Sequence, residues 1–315
     1  MAATGLVLDP AFRRHDTGRG HPESAARLEA LEAALAARGL SQRCRPLTAR
    51  PISDAELRRC HSQRYLDTLR RDVAYGLPEL STGDTPLCDH SEDVARLAAG
   101  GALAAVDAVL SGDVQRVFAA LRPPGHHAEA ERGMGFCIFN NIALAARHAQ
   151  ARHGLERVLI IDWDVHHGNG TQAIFWRDPS VLYVSVHEQG SYPGSGSASE
   201  RGEGPGLGFT INRPLPAGSD GRTVEQALAA ALQPAAQRFR PELVLVSAGF
   251  DGHRCDPLGG LRLEAGDYGR ITALCLEVAA QHAGGRLVSL LEGGYHLQAL
   301  AESGCAHVEA LLAAR

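Results

Sequence analysis

Lysine is absent from this chain of 315 residues, and all 31 basic side chains other than histidine are arginine. The formal net charge is −5 at pH 7, so the composition offers no excess of basic residues for a nucleic-acid-binding face. No stretch approaches the roughly 18 consecutive apolar residues that a membrane-spanning helix requires. The segment 1–15 also lacks the charged-then-apolar pattern of a signal peptide. We therefore expect neither nucleic acid nor membrane as a partner.

Paired cysteines are absent as well. The seven cysteines are odd in number and scattered, and no two of them form a Cys-x-x-Cys pair. This pattern argues against a disulfide framework and against a cysteine-type zinc site. It favours a reducing compartment, and we expect a cytoplasmic protein.

What the chain does contain is a regular alternation of strand and helix patterns, in a composition that is 44% hydrophobic. The predicted strands are 5–8, 117–121, 158–162, 181–186, 243–247 and 286–291. The predicted helices are 24–38, 91–110, 140–153, 223–238, 267–282 and 297–314. This alternation predicts one α/β domain in which helices flank a mostly parallel central sheet.

Two long segments, 77–89 and 190–208, interrupt the alternation and are predicted to be loops. The second is rich in Gly, Ser and Pro. Long structured loops in a compact α/β domain are usually functional. Either loop could therefore shape the entrance to a site or a contact between subunits, and a homo-oligomer remains possible.

A run of acidic and imidazole side chains follows the apolar strand 158–161. Asp162, Asp164 and His166 alternate along the chain, so they point the same way. They lie at the carboxyl end of a strand, where open α/β sheets bind their ligands. Two carboxylates and an imidazole suit a divalent metal, and zinc is a good candidate. The alternative is an ordinary helix N-cap with polar loop residues.

Polar residues also follow the other predicted strands. His126 and His127 end a loop stiffened by proline and glycine, and they could be metal ligands, structural groups or acid–base catalysts. Asp251 either caps a loop or closes a three-ligand site with Asp164 and His166. Three protein ligands leave an open position, as in catalytic zinc sites.

Tyr295 follows a pair of glycines after the last predicted strand. Its side chain either packs against its neighbours or donates a hydrogen bond to a developing oxyanion. Paired glycines permit unusual backbone angles and leave the tyrosine on a loop that could move.

Together these blocks resemble the signature of the zinc-dependent histone deacetylase superfamily, which also contains bacterial deacetylase-like amidohydrolases and acetylpolyamine amidohydrolases. The blocks are 122–127, 135–141, 162–170, 247–251 and 292–295, in the order of the family. With 21–24, the resemblance covers nearly the whole chain. It implies the arginase–deacetylase fold, with residues 1–315 as one catalytic domain.

The subgroup resembled is class II and its bacterial relatives. Class I members have aspartate where this chain has Asn169, so the partner of His127 is an amide here and we expect His127 to be harder to protonate. Vertebrate class IIa enzymes, which act weakly on acetyl-lysine, have histidine where this chain has Tyr295. The tyrosine therefore implies an active deacetylase.

The resemblance also implies a role for each side chain. Zinc would be held by Asp164, His166 and Asp251. His127 would take a proton from water and return it to the leaving amine. The remaining catalytic residues would be His126, which is oriented by Asp162, and the oxyanion donor Tyr295.

Family members also bind potassium or sodium, and the matching positions form two sets. The inner set comprises Asp162, Asp164, His166, Ser185 and Val186. The outer set comprises Phe175, Asp178 and Val181, whose alternative role is ordinary packing of helix and strand.

The family holds the acyl-lysine stem in a narrow tunnel between two aromatic rings. Phe136 matches one ring, although it could be a core aromatic, and Tyr192 is expected to supply the other. Gly135 and Gly294 are further candidate substrate contacts. Leu258 replaces the acidic residue of the polyamine-selective class IIb enzyme, which favours an uncharged acyl-lysine or neutral amide without excluding polyamines.

Three classes of function follow for the chain. The leading one is a zinc deacylase acting on acyl-lysine or a related N-acyl amine, with acetylpolyamines as the alternative substrate. An arginase-like ureohydrolase is less favoured, since it needs Asp-x-His-x-Asp and this chain has Asp-x-Asp-x-His. A silent acyl-lysine binding module is opposed by the complete metal triad and by Tyr295. Acyl length and natural substrate are left open by the sequence.

Overall fold

The computed structural model describes residues 4–314 of the chain. Its strands form one eight-stranded sheet in the order β2-β1-β3-β8-β7-β4-β5-β6. The strands are β1 Thr4–Val7, β2 Arg45–Leu47, β3 Arg116–Ala119, β4 Val158–Asp162, β5 Val181–Glu188, β6 Thr210–Leu215, β7 Leu243–Ala248 and β8 Leu287–Leu291. Every neighbouring pair is parallel, which confirms the predicted sheet.

Helices cover the sheet between these strands. They are α1 Ala25–Ala37, α2 Asp54–Leu57, α3 Gln63–Ala74, α4 Ser91–Leu110, α5 Asn141–His153, α6 Asn169–Phe175, α7 Gly221–Phe239, α8 Ala265–His282 and α9 Leu297–Ala313. The predicted loops 77–89 and 190–208 contain only turns, bends, isolated bridges and one short 3-10 turn at Gly204–Gly206. No helix within residues 4–314 is both long and apolar enough to cross a membrane.

The sequence pattern missed the helices α2, α3 and α6 and the edge strands β2 and β6. The two strands have weak patterns because each contains a proline, Pro46 or Pro214, and several partly exposed residues. Proline cannot donate to the ladder, so it is tolerated at an edge. The inner strands β4, β7 and β8 are buried along their whole length and are apolar runs, which is typical of a parallel sheet covered on both faces.

The register of the sheet brings the polar blocks to one edge. Asp162 at the end of β4 pairs with Ser247 of β7, which pairs with Leu290 of β8, which pairs with Ala119 of β3. The loops that follow these four neighbouring strands therefore begin at nearly the same height. They contain the histidine pair, the aspartate–histidine run, Asp251 and Tyr295, as the rule for carboxyl ends of parallel strands requires.

Close packing of α4 depends on Gly100. A Cβ added there would overlap the backbone carbonyl of Arg50, and backbone cannot move aside as a flexible side chain can. Gly269, in α8, has no comparable neighbour: its nearest contact would be at 3.6 Å, from the Ala306 carbonyl oxygen.

These two glycines give opposite predictions for one substitution. Alanine has a higher helix propensity than glycine, so Gly269→Ala should raise the free energy of unfolding by up to about 1 kcal/mol. Gly100→Ala gains the same propensity but must displace the Arg50 carbonyl, and should lower the free energy of unfolding by about 2 kcal/mol. Urea denaturation of both variants measures this difference. An equal effect at the two sites would contradict the packing described for α4.

Candidate metal centre and active site

Asp164, His166 and Asp251 converge at the carboxyl ends of β4 and β7. His166 Nδ1 lies 3.1 Å from Asp164 Oδ1 and 3.3 Å from Asp251 Oδ2. All three residues are buried. The other carboxylate oxygens are already bound, because Asp164 Oδ2 accepts from the Gly293 N–H at 2.8 Å and Asp251 Oδ1 from the Val165 N–H at 2.9 Å. One nitrogen and two oxygens therefore face a common point.

The chemistry of this cluster fits a bound zinc ion. Asp251 Oδ2 is buried and accepts no hydrogen bond. Burial, together with the Asp164 carboxylate, raises the pKa of Asp251 to about 7, because two buried carboxylates side by side are costly to keep ionised. Gly293 leaves room beside the pair, since a Cβ there would overlap Asp251 Oδ2. A set of two carboxylate oxygens and one imidazole nitrogen is one that zinc accepts.

His126 lies beside this cluster and is held by Asp162. The two side chains are 3.1 Å apart, between Nδ1 and Oδ2, and the Tyr183 hydroxyl donates to the same oxygen at 3.0 Å. Burial disfavours a charged imidazole, but Asp162 and Asp164 outweigh it and raise the pKa of His126 to about 10. These carboxylates favour the protonated form of the His126 imidazole. Tyr183 was not singled out by the sequence, because a tyrosine inside an apolar strand has the pattern of a core residue.

His127 has the opposite electrostatic character. Its ring centroid is 4.0 Å from that of His126, and its Nδ1 lies 2.8 Å from Asn169 Oδ1. Burial, and then repulsion from the neighbouring His126, lower the pKa of His127 well below the usual value. The lowered pKa favours the neutral imidazole, as expected when an amide (Asn169) takes the place of a carboxylate beside it.

A cavity of about 370 Å³ leads from the metal cluster to the surface. His127 and His166 lie at one end of it. Its remaining wall is formed by Asp84, Gly135, Phe136, Ser191, Tyr192, Leu258 and Tyr295. The Phe136 and Tyr295 rings meet edge to face with centroids 6.0 Å apart, and Tyr192 meets His127 in the same way at 5.1 Å.

Most of the predicted substrate contacts lie on this wall, and Gly294 does not. Its carbonyl accepts a hydrogen bond from Arg27 Nε at 2.7 Å. Phe136, which the sequence could also place in the core, is half-buried and faces the cavity. Leu258 is 38% exposed at the rim, so it presents an apolar surface to an entering substrate.

Asp84, from the loop 77–89, was missed by the sequence analysis. One of its carboxylate oxygens accepts from the Gly135 N–H at 2.7 Å and from the Tyr192 hydroxyl at 3.2 Å. It thus joins two walls of the cavity that belong to different loops. A single acidic residue in a polar loop belongs to no spaced motif, so the sequence alone could not identify it as functional.

A buried ionic network behind the cavity was also missed. Arg27 donates to Glu23 at 3.1 Å and to the Glu292 carbonyl at 2.5 Å, and its guanidinium carbon lies 5.0 Å from the centroid of the Tyr295 ring. Arg122 donates to the same Glu23 oxygen at 2.7 Å. The i,i+4 spacing of Glu23 and Arg27 at the start of α1 indicates an ion pair in the sequence. Such helical ion pairs are more often exposed than buried.

The Glu292 carboxylate, in the loop after β8, connects the loop after β3 with strand β7 near its end. It accepts from the backbone N–H groups of Gly125 at 2.7 Å and His126 at 3.2 Å. Its other oxygen accepts from the Ser247 hydroxyl at 3.0 Å. Because it is fully buried, these hydrogen bonds fix the height at which the histidine pair enters the site.

The positions expected to bind a monovalent cation fall in two places. In the inner set, Asp162 and Ser185 are register partners at the ends of β4 and β5. In the outer set, the Asp178 carboxylate pairs with Arg147 at 2.6 Å. The Arg147 guanidinium also lies 4.7 Å from the Phe175 ring centroid. The outer set therefore stays a prediction, like the inner one.

The chain matches a family model described as the histone deacetylase domain over residues 21–311. It therefore belongs to the histone deacetylase family, as its motifs predict. It is 42% identical over 312 residues to the histone deacetylase-like amidohydrolase of Pseudomonas aeruginosa, covering 99% of this chain and 80% of that protein. It is 46% identical over 297 residues to the polyamine deacetylase HDAC10 of Homo sapiens, covering 91% of this chain and 44% of that protein.

The fold is that of a solved relative. The crystal structure of the HDA15 HD domain superposes with a TM-score of 0.92 at 37% identity, covering 99% of this chain and 90% of that one. The predicted arginase–deacetylase architecture is thereby confirmed.

The contacts of Asp84 predict how the cavity responds when they are removed. Asp84→Ala frees both the Gly135 backbone and the Tyr192 hydroxyl, so the substrate should be held less well while the metal cluster is unaffected. We expect KM for an acylated substrate to rise roughly ten-fold with kcat changed less than about three-fold. Asp89→Ala, an exposed acidic residue of the same loop, is the matched control and should leave both constants unchanged. A fall in kcat with constant KM would contradict this role.

Proposed function

We propose that this chain is a zinc-dependent deacylase that hydrolyses the amide of acetyl-lysine, or of a related N-acyl amine, to a free amine and a carboxylate. The observation that supports it most directly is the buried cluster of Asp164, His166 and Asp251 at the end of a cavity walled by Phe136 and Tyr192. The names of the relatives as amidohydrolase and deacetylase agree with this activity.

Zinc held by Asp164, His166 and Asp251 would supply Lewis-acid polarisation of the acyl carbonyl and lower the pKa of a water molecule. His127 is neutral and faces the cavity, so it can accept the proton of the attacking water and later give it to the leaving amine. His126 is held as a cation by Asp162 and stabilises negative charge that develops beside it.

Tyr295 would donate its hydroxyl hydrogen to the oxygen that becomes negative as water adds to the acyl carbon. Burial raises the pKa of the Tyr295 hydroxyl well above its usual value, so it keeps its proton. Arg27 orients the ring from behind, through its contacts with the carbonyls of Glu292 and Gly294.

The apolar rim at Leu258 favours an uncharged acyl-lysine side chain over a polycation. Acetylpolyamines are the second candidate, because the Asp84 carboxylate also lines the cavity and could attract a cationic substrate. That candidate agrees with the 46% identity to a protein named polyamine deacetylase.

Three further assignments belong to the same proposal. Residues 1–315 are assigned to one catalytic domain, and the inner and outer sets of cation positions hold potassium or sodium. The protein acts in a reducing compartment such as the cytoplasm, which agrees with all seven cysteines being unpaired.

The test compares turnover of an acetyl-lysine peptide and of N-acetylputrescine by metal-free and zinc-loaded protein. We expect zinc-dependent release of acetate from the peptide. Turnover of N-acetylputrescine alone would keep the mechanism and reverse the choice of substrate. Acetyl-peptide binding without turnover, with one zinc per chain, would replace the proposal by a binding module. Two manganese ions per chain would favour a ureohydrolase.

Removing a single hydroxyl tests the role of Tyr295. Tyr295→Phe keeps the ring and its contact with Arg27 but lacks the hydrogen-bond donor. Turnover should fall by about 10²- to 10³-fold, with the melting temperature and zinc content unchanged. Tyr192→Phe removes a hydroxyl from the opposite wall, where it binds Asp84, and should leave kcat within about three-fold of the wild type. Near-normal turnover by Tyr295→Phe would exclude the proposed role.

A further inference from the structure

A chain of hydrogen bonds leads from His127 away from the metal cluster towards the surface. His127 Nδ1 lies 2.8 Å from Asn169 Oδ1, and Asn169 Nδ2 donates to Glu129 Oε1 at 2.8 Å. Arg132 donates to both oxygens of Glu129, at 3.0 and 2.8 Å. The outer members of this chain border a second cleft of about 670 Å³. Among these residues, only His127 has a role in the proposed mechanism.

The contacts of Asn169 determine which way its amide faces. Its nitrogen lies beside Glu129 Oε1 at 2.8 Å, the His127 carbonyl oxygen at 3.4 Å and the Met134 sulfur at 3.4 Å. Each of these atoms can accept a hydrogen bond, and none of them carries a hydrogen to donate. The NH2 group must therefore point towards Glu129, and the amide oxygen must point towards His127.

This orientation has a consequence for the protons of His127. An amide oxygen can only accept, so Nδ1 of the neutral imidazole must be the nitrogen that bears hydrogen. The lone pair is then on Nε2, the other ring nitrogen, where a general base needs it. Turning the amide over would place its oxygen against the Glu129 carboxylate and its NH2 group against His127, and would favour the tautomer that cannot accept a proton at Nε2.

We propose that Glu129 is a positioning residue, which orients the Asn169 amide and thereby keeps the general base His127 in its reactive tautomer. This inference rests on the proposed function, because that function makes His127 the general base. The tautomer itself follows from the hydrogen bonds of Asn169 alone. Glu129 can orient the amide because its own carboxylate is fixed by two N–H groups of Arg132, at Nε and Nη2. Its backbone carbonyl also accepts from His61 Nδ1 at 2.9 Å.

Glu129 is the strongest of the groups that hold the amide. The other two acceptors are at 3.4 Å, near the limit of a hydrogen bond, whereas the carboxylate is charged and close. Hydrogen bonds to a charged group are roughly twice as strong as those between neutral groups. Without Glu129, the two orientations of Asn169 should differ little in free energy.

The first test is Glu129→Ala, with Glu131→Ala as the matched control. Glu131 is an exposed acidic residue of the same turn, so its removal changes the net charge equally. We expect Glu129→Ala to lower kcat roughly ten-fold at nearly constant KM, and Glu131→Ala to leave both unchanged. Equal kinetic constants for the two variants would overturn the proposal.

A second measurement is independent of activity. In zinc-loaded protein with 15N-labelled histidine, the ring nitrogens of His127 are assigned by comparison with His127→Ala. Wild-type protein should show hydrogen on Nδ1, and Glu129→Ala should show a mixture of the two tautomers. An unchanged Nδ1–H tautomer in Glu129→Ala would refute the positioning role even if the protein proved not to be a deacylase. A changed tautomer without any turnover in the wild type would refute only the proposed function.

Exchanging the amide of residue 169 with the carboxylate of residue 129 tests whether Glu129 acts by orienting its neighbour. The alternative is that any loss of their contact lowers kcat. Asn169→Asp places a carboxylate against that of Glu129 and should lower kcat, because two acceptors then face each other. Adding Glu129→Gln supplies an NH2 group that can donate to the new aspartate, and should restore at least part of the lost kcat. Glu129→Gln is thus expected to help in the Asn169→Asp background and not in the wild type. If it lowered kcat equally in both backgrounds, Glu129 would not act through residue 169.

Discussion

The site is organised by two carboxylates, Asp164 and Asp251, that are held together away from water. Buried like charges are costly unless positive charge lies close to them. Here the positive charge comes from several neighbouring groups. His126 is kept protonated on one side, while the backbone N–H groups of Val165 and Gly293 each satisfy one oxygen. The oxygen left without a partner, Asp251 Oδ2, faces His166 and the end of the cavity. A cation is therefore stabilised most at the end of the cavity, where the carbonyl of a substrate can also bind.

Such a cluster requires several loops to be fixed at the same height, and the sheet achieves this through register. A single row of paired residues crosses β3, β8, β7 and β4, so each loop leaves the sheet at a comparable level. Glu292, in the loop after β8, then accepts hydrogen bonds from the loop after β3 and from Ser247 near the end of β7. Arg27 fixes the loop of Tyr295 from the opposite side. The positions of the histidine pair and of the tyrosine are thus consequences of the same buried network, and a change at Glu292 would reach both.

How far the sequence predicts this molecule depends on the range of the interaction concerned. The inner strands and the aspartate–histidine run are local patterns, and both could be found from the sequence. Edge strands such as β6 have mixed burial and a proline, so they show no clear period. Asp84 was out of reach because its role exists only through contacts with Gly135 and Tyr192, which are 51 and 108 residues away along the chain. Arg27, which contacts Gly294 across 267 residues, could not be separated by sequence from an exposed helical ion pair.

The replacement of aspartate by Asn169 looks in the sequence like the loss of one negative charge beside His127. In the structure a carboxylate is still present, but it belongs to Glu129 and lies one hydrogen bond further out. An aspartate in direct contact would stabilise the protonated imidazole, whereas the intervening amide transmits orientation and little charge. His127 can then be kept in one tautomer while its pKa stays low, because burial and the cation at His126 oppose protonation. Orientation and basicity, which a single carboxylate would couple, are in this arrangement set by different groups.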